Sequence, residues 1–362
     1  MKCLVVSDSF KGTLTSKRIG EIAKEELAKL DIETDYIPVS DGGEGFVESI
    51  SNLLNIEPIV LPSIGALNDE ETARFIYQNA AETAYIEMAE VCGLAKLKGR
   101  KDAYLASSYG LGLYTKQVIE KYNPKSVVIS LGGTASIDLG IGFLEGLGVK
   151  FFDEEGDQVH FIGNGKLPLI KKIDSSALEV YKHIKFTIVN DVKITIFGPE
   201  GTIEKYGKQK CAEGQEVDKL VENATEFFLV LQKHTKVPDH AGAGAAGGVA
   251  YAINAFLGGE EVNGTELIFN LIKLKEIAPS YDFIITGEGR FDSQTFQGKV
   301  VSGVLEASKK VVIICGGKED DVDYPNSFAI VPNICSLEES LKNPEFYLRK
   351  LLVSIPWNKL IF

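Results

Sequence analysis

Asp282 to Lys299 reads DFIITGEGRFDSQTFQGK. Phe283, Ile284 and Ile285 make a buried-strand run that breaks at Thr286-Gly287. A charged loop of Glu288, Gly289, Arg290 and Asp292 follows, before apolar residues resume at Val300. Open α/β sheets hold their ligands where a strand ends in such a loop ahead of a helix. Gly287 lets the backbone come close to a bound group, Glu288 and Asp292 suit a cation, and Arg290 suits an oxyanion. For one such loop alone, a turn closed by a local Arg290–Asp292 salt bridge is the simpler reading. Further loops of the same design tip the balance toward a site.

The first lies at the amino end. Lys2 to Val6 is a short apolar strand that leads into Ser7-Asp8-Ser9-Phe10-Lys11-Gly12. A helix is predicted from Thr15 or Ser16, with Ile19, Ile22, Ala23, Leu27 and Leu30 on one face. Asp8, Ser9 and Lys11 then sit between a strand's carboxyl end and a helix's amino end, a cradle for phosphate unless Asp8 and Lys11 merely pair. The second loop, Ser40-Asp41-Gly42-Gly43-Glu44-Gly45, follows a strand near Thr34–Val39. Three glycines around two carboxylates lose much entropy on folding. A ligand loop and a tight turn stand about even there.

From Ile59 the texture changes to short extended pieces, Ile59–Leu61, Ala73–Tyr77 and Thr83–Glu87, which suggest antiparallel pairing. A helix over Ser108–Tyr122 and a buried strand over Val127–Leu131 come next. That strand runs into Gly132-Gly133-Thr134-Ala135-Ser136-Ile137-Asp138, whose glycines and hydroxyls suit phosphate. The strand Phe186–Val189 ends in Asn190-Asp191, and Phe197–Gly201 is another glycine-bearing connection. After a long helix over Val217–His234, Ala241–Gly248 satisfies GxGxxG, but the polar stretch before it, with Pro238, is no strand. Close helix packing, or backbone approach to a nucleotide, explains its small residues better than a dinucleotide turn. No GxxxxGK[ST] occurs. Val311–Cys315 and Phe328–Val331 read as strands, and Ser336 with Glu339 as a capping box. The fold class is therefore α/β. A Rossmann-like parallel sheet domain is built from both chain ends, residues 1–60 plus 281–362, with a mixed α/β domain, 61–280, inserted between.

The chain has 362 residues, 44% hydrophobic and 25% charged, enough for two cores. A formal charge of -13 argues against nucleic-acid or acidic-membrane partners and asks for a local positive site if the substrate is an anion. The five cysteines are scattered and form no CxxC, and the four histidines share no metal-ligand spacing. Reduced thiols in a cytoplasmic protein are expected, with no signal peptide and no apolar run long enough to span a bilayer.

Taken in order, these segments resemble the bacterial glycerate kinase family, the type I kind without a P-loop. The resemblance is carried by DSFKG at Asp8–Gly12, SDGGEG at Ser40–Gly45, SSYGLG at Ser107–Gly112 and LGGTASID at Leu131–Asp138. It continues through FGPEG at Phe197–Gly201, AGAGAAGG at Ala241–Gly248 and TGEGRFDSQ at Thr286–Gln294. It implies ATP-dependent phosphorylation of D-glycerate in a cleft between two domains; the product is open between 2- and 3-phosphoglycerate, the former slightly favoured. Phosphoryl transfer needs positioning, charge neutralisation and a carboxylate near the attacking hydroxyl. Lys11 and Arg290 are assigned to anionic oxygens. Asp8, Asp41, Glu288 and Asp292 are the candidates for Mg²⁺. Asp191, or Asp292 in its place, orients or deprotonates the hydroxyl. Asp8, Ser9, Asp41, Gly42, Gly43 and Glu44 join Lys11 and Arg290 around the substrate. Gly132, Gly133, Thr134, Ser136, Gly242, Gly244 and Gly287 line the nucleotide. The oligomeric state stays open, a homodimer included.

Two departures stand out. Where the family usually has GGSATND, Ile137 replaces an amide side chain; where it has CDVDNPL, Lys193 and Ile194 replace a polar pair after Asp191. Both point to a related small hydroxy acid as the alternative substrate, and a catalytically weak ligand-binding or regulatory relative is the remaining alternative.

Overall fold

Five strands, two near the amino end and three after residue 282, become one parallel sheet. The computed structural model describes residues 1–10, 12–39, 45–210, 214–292, 295, 300–319, 324–360 and 362. Lys11, Asp41, Gly42, Gly43 and Glu44 lie outside the described residues, as do Ser40, Cys211, Gln294 and Gly298-Lys299. The chain divides into two compact units, Met1–Asp41 with Asn263–Phe362, and Gly42–Val262.

In the first unit the strand order is Ser327–Val331, Val311–Lys318, Phe283–Phe291, Lys2–Val5, Glu33–Tyr36, with every pair parallel. Parallel neighbours need crossover connections, and the crossing helices cover both faces, so the central strands are apolar over their buried stretches. Cys3, Leu4, Val5, Ile284, Ile285, Val312, Ile313 and Ile314 are all inaccessible or nearly so. On one face they meet Ile19, Ile22 and Leu27 of the helix Ser16–Ala28 and Leu348, Leu351 and Leu352 of the helix Pro344–Ser354. Each such side chain contributes about 1.5–3 kcal/mol relative to exposure. Thr15 caps the first helix by accepting the Arg18 N–H, and the Ser336–Glu339 capping box forms.

The second unit holds a six-stranded sheet ordered Glu260–Val262, Lys185–Val189, Ser126–Ser130, Thr83–Glu87, Glu70–Gln78, Ile59–Ile64. The first four are parallel and the last two are antiparallel, as the short extended pieces suggested. Its core gathers Phe75, Ile86, Tyr114, Val127, Ile129, Phe143, Phe186 and Tyr251.

The unit borders fall at 41/42 and 262/263, against the 60/61 and 280/281 read from sequence texture. The helix Phe46–Leu54 packs its Phe46, Val47 and Ile50 face on the strands Glu70–Gln78 and Thr83–Glu87. The helices Gly264–Leu271 and Leu274–Ile277 pack on Val300–Ala307 in the first unit. Helical periodicity says that a face is buried, not which sheet buries it. Among the described residues, no helix is long and apolar enough to cross a membrane.

Candidate active site

The strand order of the first unit reverses direction between Lys2–Val5 and Phe283–Phe291. From the former the chain steps outward to Glu33–Tyr36, and from the latter to Val311–Lys318 and Ser327–Val331. The carboxyl ends at such a switch point open a crevice, because successive loops leave in opposite directions. There the Asp8 N–H and the Ser7 hydroxyl both donate to the Gly287 carbonyl, at 2.9 and 3.1 Å. The Asp8 carboxylate accepts the Ser9 N–H at 2.6 Å. Ser16 locks the loop from behind, donating to the Ser7 carbonyl at 2.6 Å and accepting the Val39 N–H at 2.9 Å.

Beyond Gly287 the structure corrects the sequence reading. Thr286-Gly287 does not break the strand, which continues to Phe291 with Glu288 opposite Cys315 and Arg290 opposite Gly317. The neighbouring strand, Val311–Lys318, is nearly as long, and Gly287 permits the approach: a Cβ there would stand 2.0 Å from the Ile314 carbonyl oxygen. Arg290 is 70% exposed and pairs with Glu319, with Asp292 at 3.9 Å. The close partner is thus Glu319, 29 residues on, rather than Asp292 across a local turn, and binding an oxyanion means exchanging a partner. The Asp292 N–H donates to the Thr295 hydroxyl at 3.0 Å. Among the described residues no three acidic, His or Cys side chains cluster closely enough for a metal. Asp8, Glu288 and Asp292 thus form no ready-made cage, whereas Mg²⁺ arriving on phosphates needs only one or two carboxylates.

The second unit has its own edge. Glu87, Ser130, Val189 and Val262 stand abreast at the carboxyl ends of the four parallel strands. Adjacent strands lie about 4.8 Å apart, so the Gly132–Asp138 loop and Asn190-Asp191 leave the sheet as neighbours. The Leu131 N–H reaches the Val189 carbonyl at 3.2 Å. Within the loop, Thr134 and Ser136 hydroxyls lie 3.3 Å apart, and Thr134 also accepts the Ser136 N–H at 3.2 Å. Gly132 is half-buried and Gly133 exposed, whereas Thr134 is 7% exposed and Ser136 wholly inaccessible. Asp191 is half-buried on a turn fixed by Asn190, whose side chain accepts the Val192 N–H at 3.0 Å and donates to Glu261 at 3.1 Å.

Both departures from the family pattern find a place. Ile137 is wholly inaccessible within the core, so its side chain gives no ground for a changed substrate. Ile194 is buried too, and its carbonyl accepts the N–H groups of Gly242 and Gly244, both at 3.0 Å. Of the three departing residues, Lys193 is the exposed one, beside the exposed Val192 on the Asp191 turn. Gly242 and Gly244 are buried, and a Cβ would meet the Glu261 carboxylate at 2.4 Å or the Thr195 carbonyl at 2.1 Å. Close packing accounts for both glycines.

Glu87 escaped the sequence reading. It is 3% exposed, and its two carboxylate oxygens accept the N–H groups of Gly45 and Val47, at 2.8 and 2.9 Å. Burial raises its pKa, opposed by those two donors. It anchors the carboxyl side of the glycine loop that ends at Gly45. A single glutamate at the end of a strand carries no local pattern that could have revealed this.

Residues 3–356 match the family model for the glycerate kinase family. A glycerate kinase of Halalkalibacterium halodurans is 30% identical over 98% of each chain. A glycerate 2-kinase of Escherichia coli is 32% identical over 94% of this chain and 93% of its own. The crystal structure of a Salmonella typhimurium LT2 protein assigned as glycerate kinase 2 superposes with a TM-score of 0.81 at 27% identity, covering all of both chains.

Proposed function

Because the chain belongs to the glycerate kinase family, we propose that it transfers the γ-phosphoryl group of ATP, bound with Mg²⁺, to the 2-hydroxyl of D-glycerate. The glycerate oxygen bonds to the γ-phosphorus, the bridging β–γ P–O bond breaks, and ADP leaves with the electron pair. The hydroxyl proton passes to a carboxylate, Asp191 in this reading, with Asp292 as its rival. Such a reaction asks the protein for positioning and charge compensation more than covalent chemistry.

One observation carries the reading. The Gly132–Ser136 loop and Asp191 leave adjacent parallel strands at the same edge, with Ser130 and Val189 in register. A glycine and hydroxyl loop beside a carboxylate is what a nucleotide phosphate next to a hydroxyl acceptor requires. In the first unit, Asp8 and Ser9, with Lys11 of the same loop, are assigned to the acceptor acid and phosphate oxygens. Asp8, Glu288 and Asp292, with Asp41, are the carboxylates for Mg²⁺, which would neutralise phosphate charge when bound.

The exposed Lys193 favours one second reading, a related small hydroxy acid whose extra anionic group it would meet. A cytoplasmic setting fits the free thiols of Cys3, Cys92, Cys315 and Cys335. The test is ADP release from Mg–ATP with a panel of hydroxy acids. D-glycerate should give the highest kcat/KM; a different acid ahead of it would support the second reading, and no release with any acid would reject both.

A further inference from the structure

Lys210 is 2% exposed, while its neighbours Lys208 and Gln209 face solvent. Lysine is rarely buried to this degree without a partner that needs it. Its Nζ donates to the Ser136 carbonyl at 2.7 Å, across a long sequence separation. Asp138, wholly inaccessible, lies within electrostatic reach and favours the charged amine. Yet that carboxylate already accepts the N–H and hydroxyl of Ser108, both at 2.7 Å, and the N–H groups of Gly140 and Gly142, at 3.1 and 3.2 Å. Completing Asp138 is therefore not what Lys210 is for.

The Ser136 carbonyl is the better reason. A Cβ on Gly247 would stand 2.2 Å from it, so this oxygen sits against backbone on one side and the amine on the other. The same residue carries the hydroxyl and N–H that meet Thr134. An apolar residue of similar volume would fill the space without the desolvation penalty, but would leave the carbonyl without this donor. Burial pushes the Lys210 pKa down to about 7, so the neutral amine can still donate near physiological pH.

We propose that Lys210 is a positioning residue for the nucleotide loop: by holding the Ser136 carbonyl it fixes the buried end of the loop, Thr134 to Ser136, on which the accessible Gly132 and Gly133 are presented to the phosphates. This rests on the reading that Gly132–Ser136 lines ATP. The experiment measures Mg–ATP binding to the full chain by calorimetry, for wild type, Lys210→Met and Lys210→Gln, and then KM for both substrates.

Lys210→Met should bind Mg–ATP about tenfold more weakly, the scale of one lost buried hydrogen bond. Lys210→Gln, which keeps a donor, should lose about threefold. KM for D-glycerate should stay within about twofold in both, a split that a general loosening would not give. Unchanged ATP affinity in Lys210→Met, or both KM values rising together, overturns the inference. If Lys210→Met does not melt cooperatively, Lys210→Gln decides by the same criteria. A wild type that binds ATP without phosphorylating glycerate rejects the proposed function and leaves the affinity ratio to judge Lys210. A wild type that does not bind Mg–ATP overturns both.

Discussion

The Asp8 N–H donates to the Gly287 carbonyl at 2.9 Å, so the loop that carries Asp8 runs beside the strand that carries Glu288 although the two come from opposite ends of the chain. The contact exists because Lys2–Val5, which leads into Asp8, and Phe283–Phe291, which contains Glu288, are neighbours in register, Val5 opposite Ile285.

Gly287→Ala tests how tight that edge is. The new methyl would stand 2.0 Å from the Ile314 carbonyl oxygen, and backbone in the middle of a sheet yields little. Overpacking of this kind costs about 1–3 kcal/mol. The urea midpoint should fall accordingly, and turnover with it. An unchanged midpoint would mean that the two strands can separate freely at this point.

Glu87→Gln replaces a carboxylate that accepts two N–H groups with an amide that can satisfy only one of them. The stranded donor costs about 1–3 kcal/mol, readable as a lower denaturation midpoint. KM for D-glycerate should rise more than KM for ATP, because the clamp sits at the end of the Asp41–Gly45 loop assigned to the acceptor. Equal changes in both would make Glu87 a purely structural anchor.

Lys210 gives stability a pH dependence with a definite sign. Its pKa is lowered from 10.5 in the unfolded chain to about 7 in the folded one. Between these values the unfolded chain binds a proton that the folded chain lacks, so stability rises with pH. Below pH 7 both states hold the proton and the penalty of burying the charge is felt in full. The thiols of Cys3, Cys92 and Cys315, raised from 9.0 to about 11, 12 and 12 by burial, act in the opposite sense at higher pH. The window is therefore pH 7 to 9. Urea midpoints of the wild type should climb across it while those of Lys210→Met should not; parallel curves would contradict the buried-amine account.

Much of this molecule was legible in its sequence, for identifiable reasons. Strands such as Val127–Leu131, observed as Ser126–Ser130, are continuous apolar runs ended by glycine, and buried parallel strands read that way. The helix over Val217–His234, observed as Gln215–Thr235, shows its core face as a stripe. The glycine loops stood out by composition. What stayed hidden is pairing across distance. The extension of Phe283–Phe291 through Gly287 and Arg290 depends on a partner strand that supplies the hydrogen bonds, not on local propensity. Glu87 and Lys210 act through backbone groups dozens of residues away, and no spacing rule reports that. Ile137 resembled a change in the site because its neighbours are polar, yet its side chain turns into the core.

Asp191→Asn keeps the size and removes the base. The proposed role predicts a fall in kcat of about 10²–10⁴-fold, the usual contribution of a positioned general base, with ATP affinity within about twofold. Single-turnover measurements separate this from slower product release. If Asp292→Asn gives the larger loss in kcat, the proton goes to Asp292 instead.

The most direct test follows the phosphorus itself. The purified chain is incubated with Mg–ATP and D-glycerate and read by ³¹P NMR without proton decoupling. The account predicts that the γ-phosphate signal of ATP gives way to a phosphomonoester split into a doublet, since a phosphate on the 2-oxygen couples to a single proton. A triplet would place the phosphate on the 3-oxygen and contradict the assigned acceptor hydroxyl, and an ATP spectrum unchanged by glycerate would contradict the kinase reading altogether.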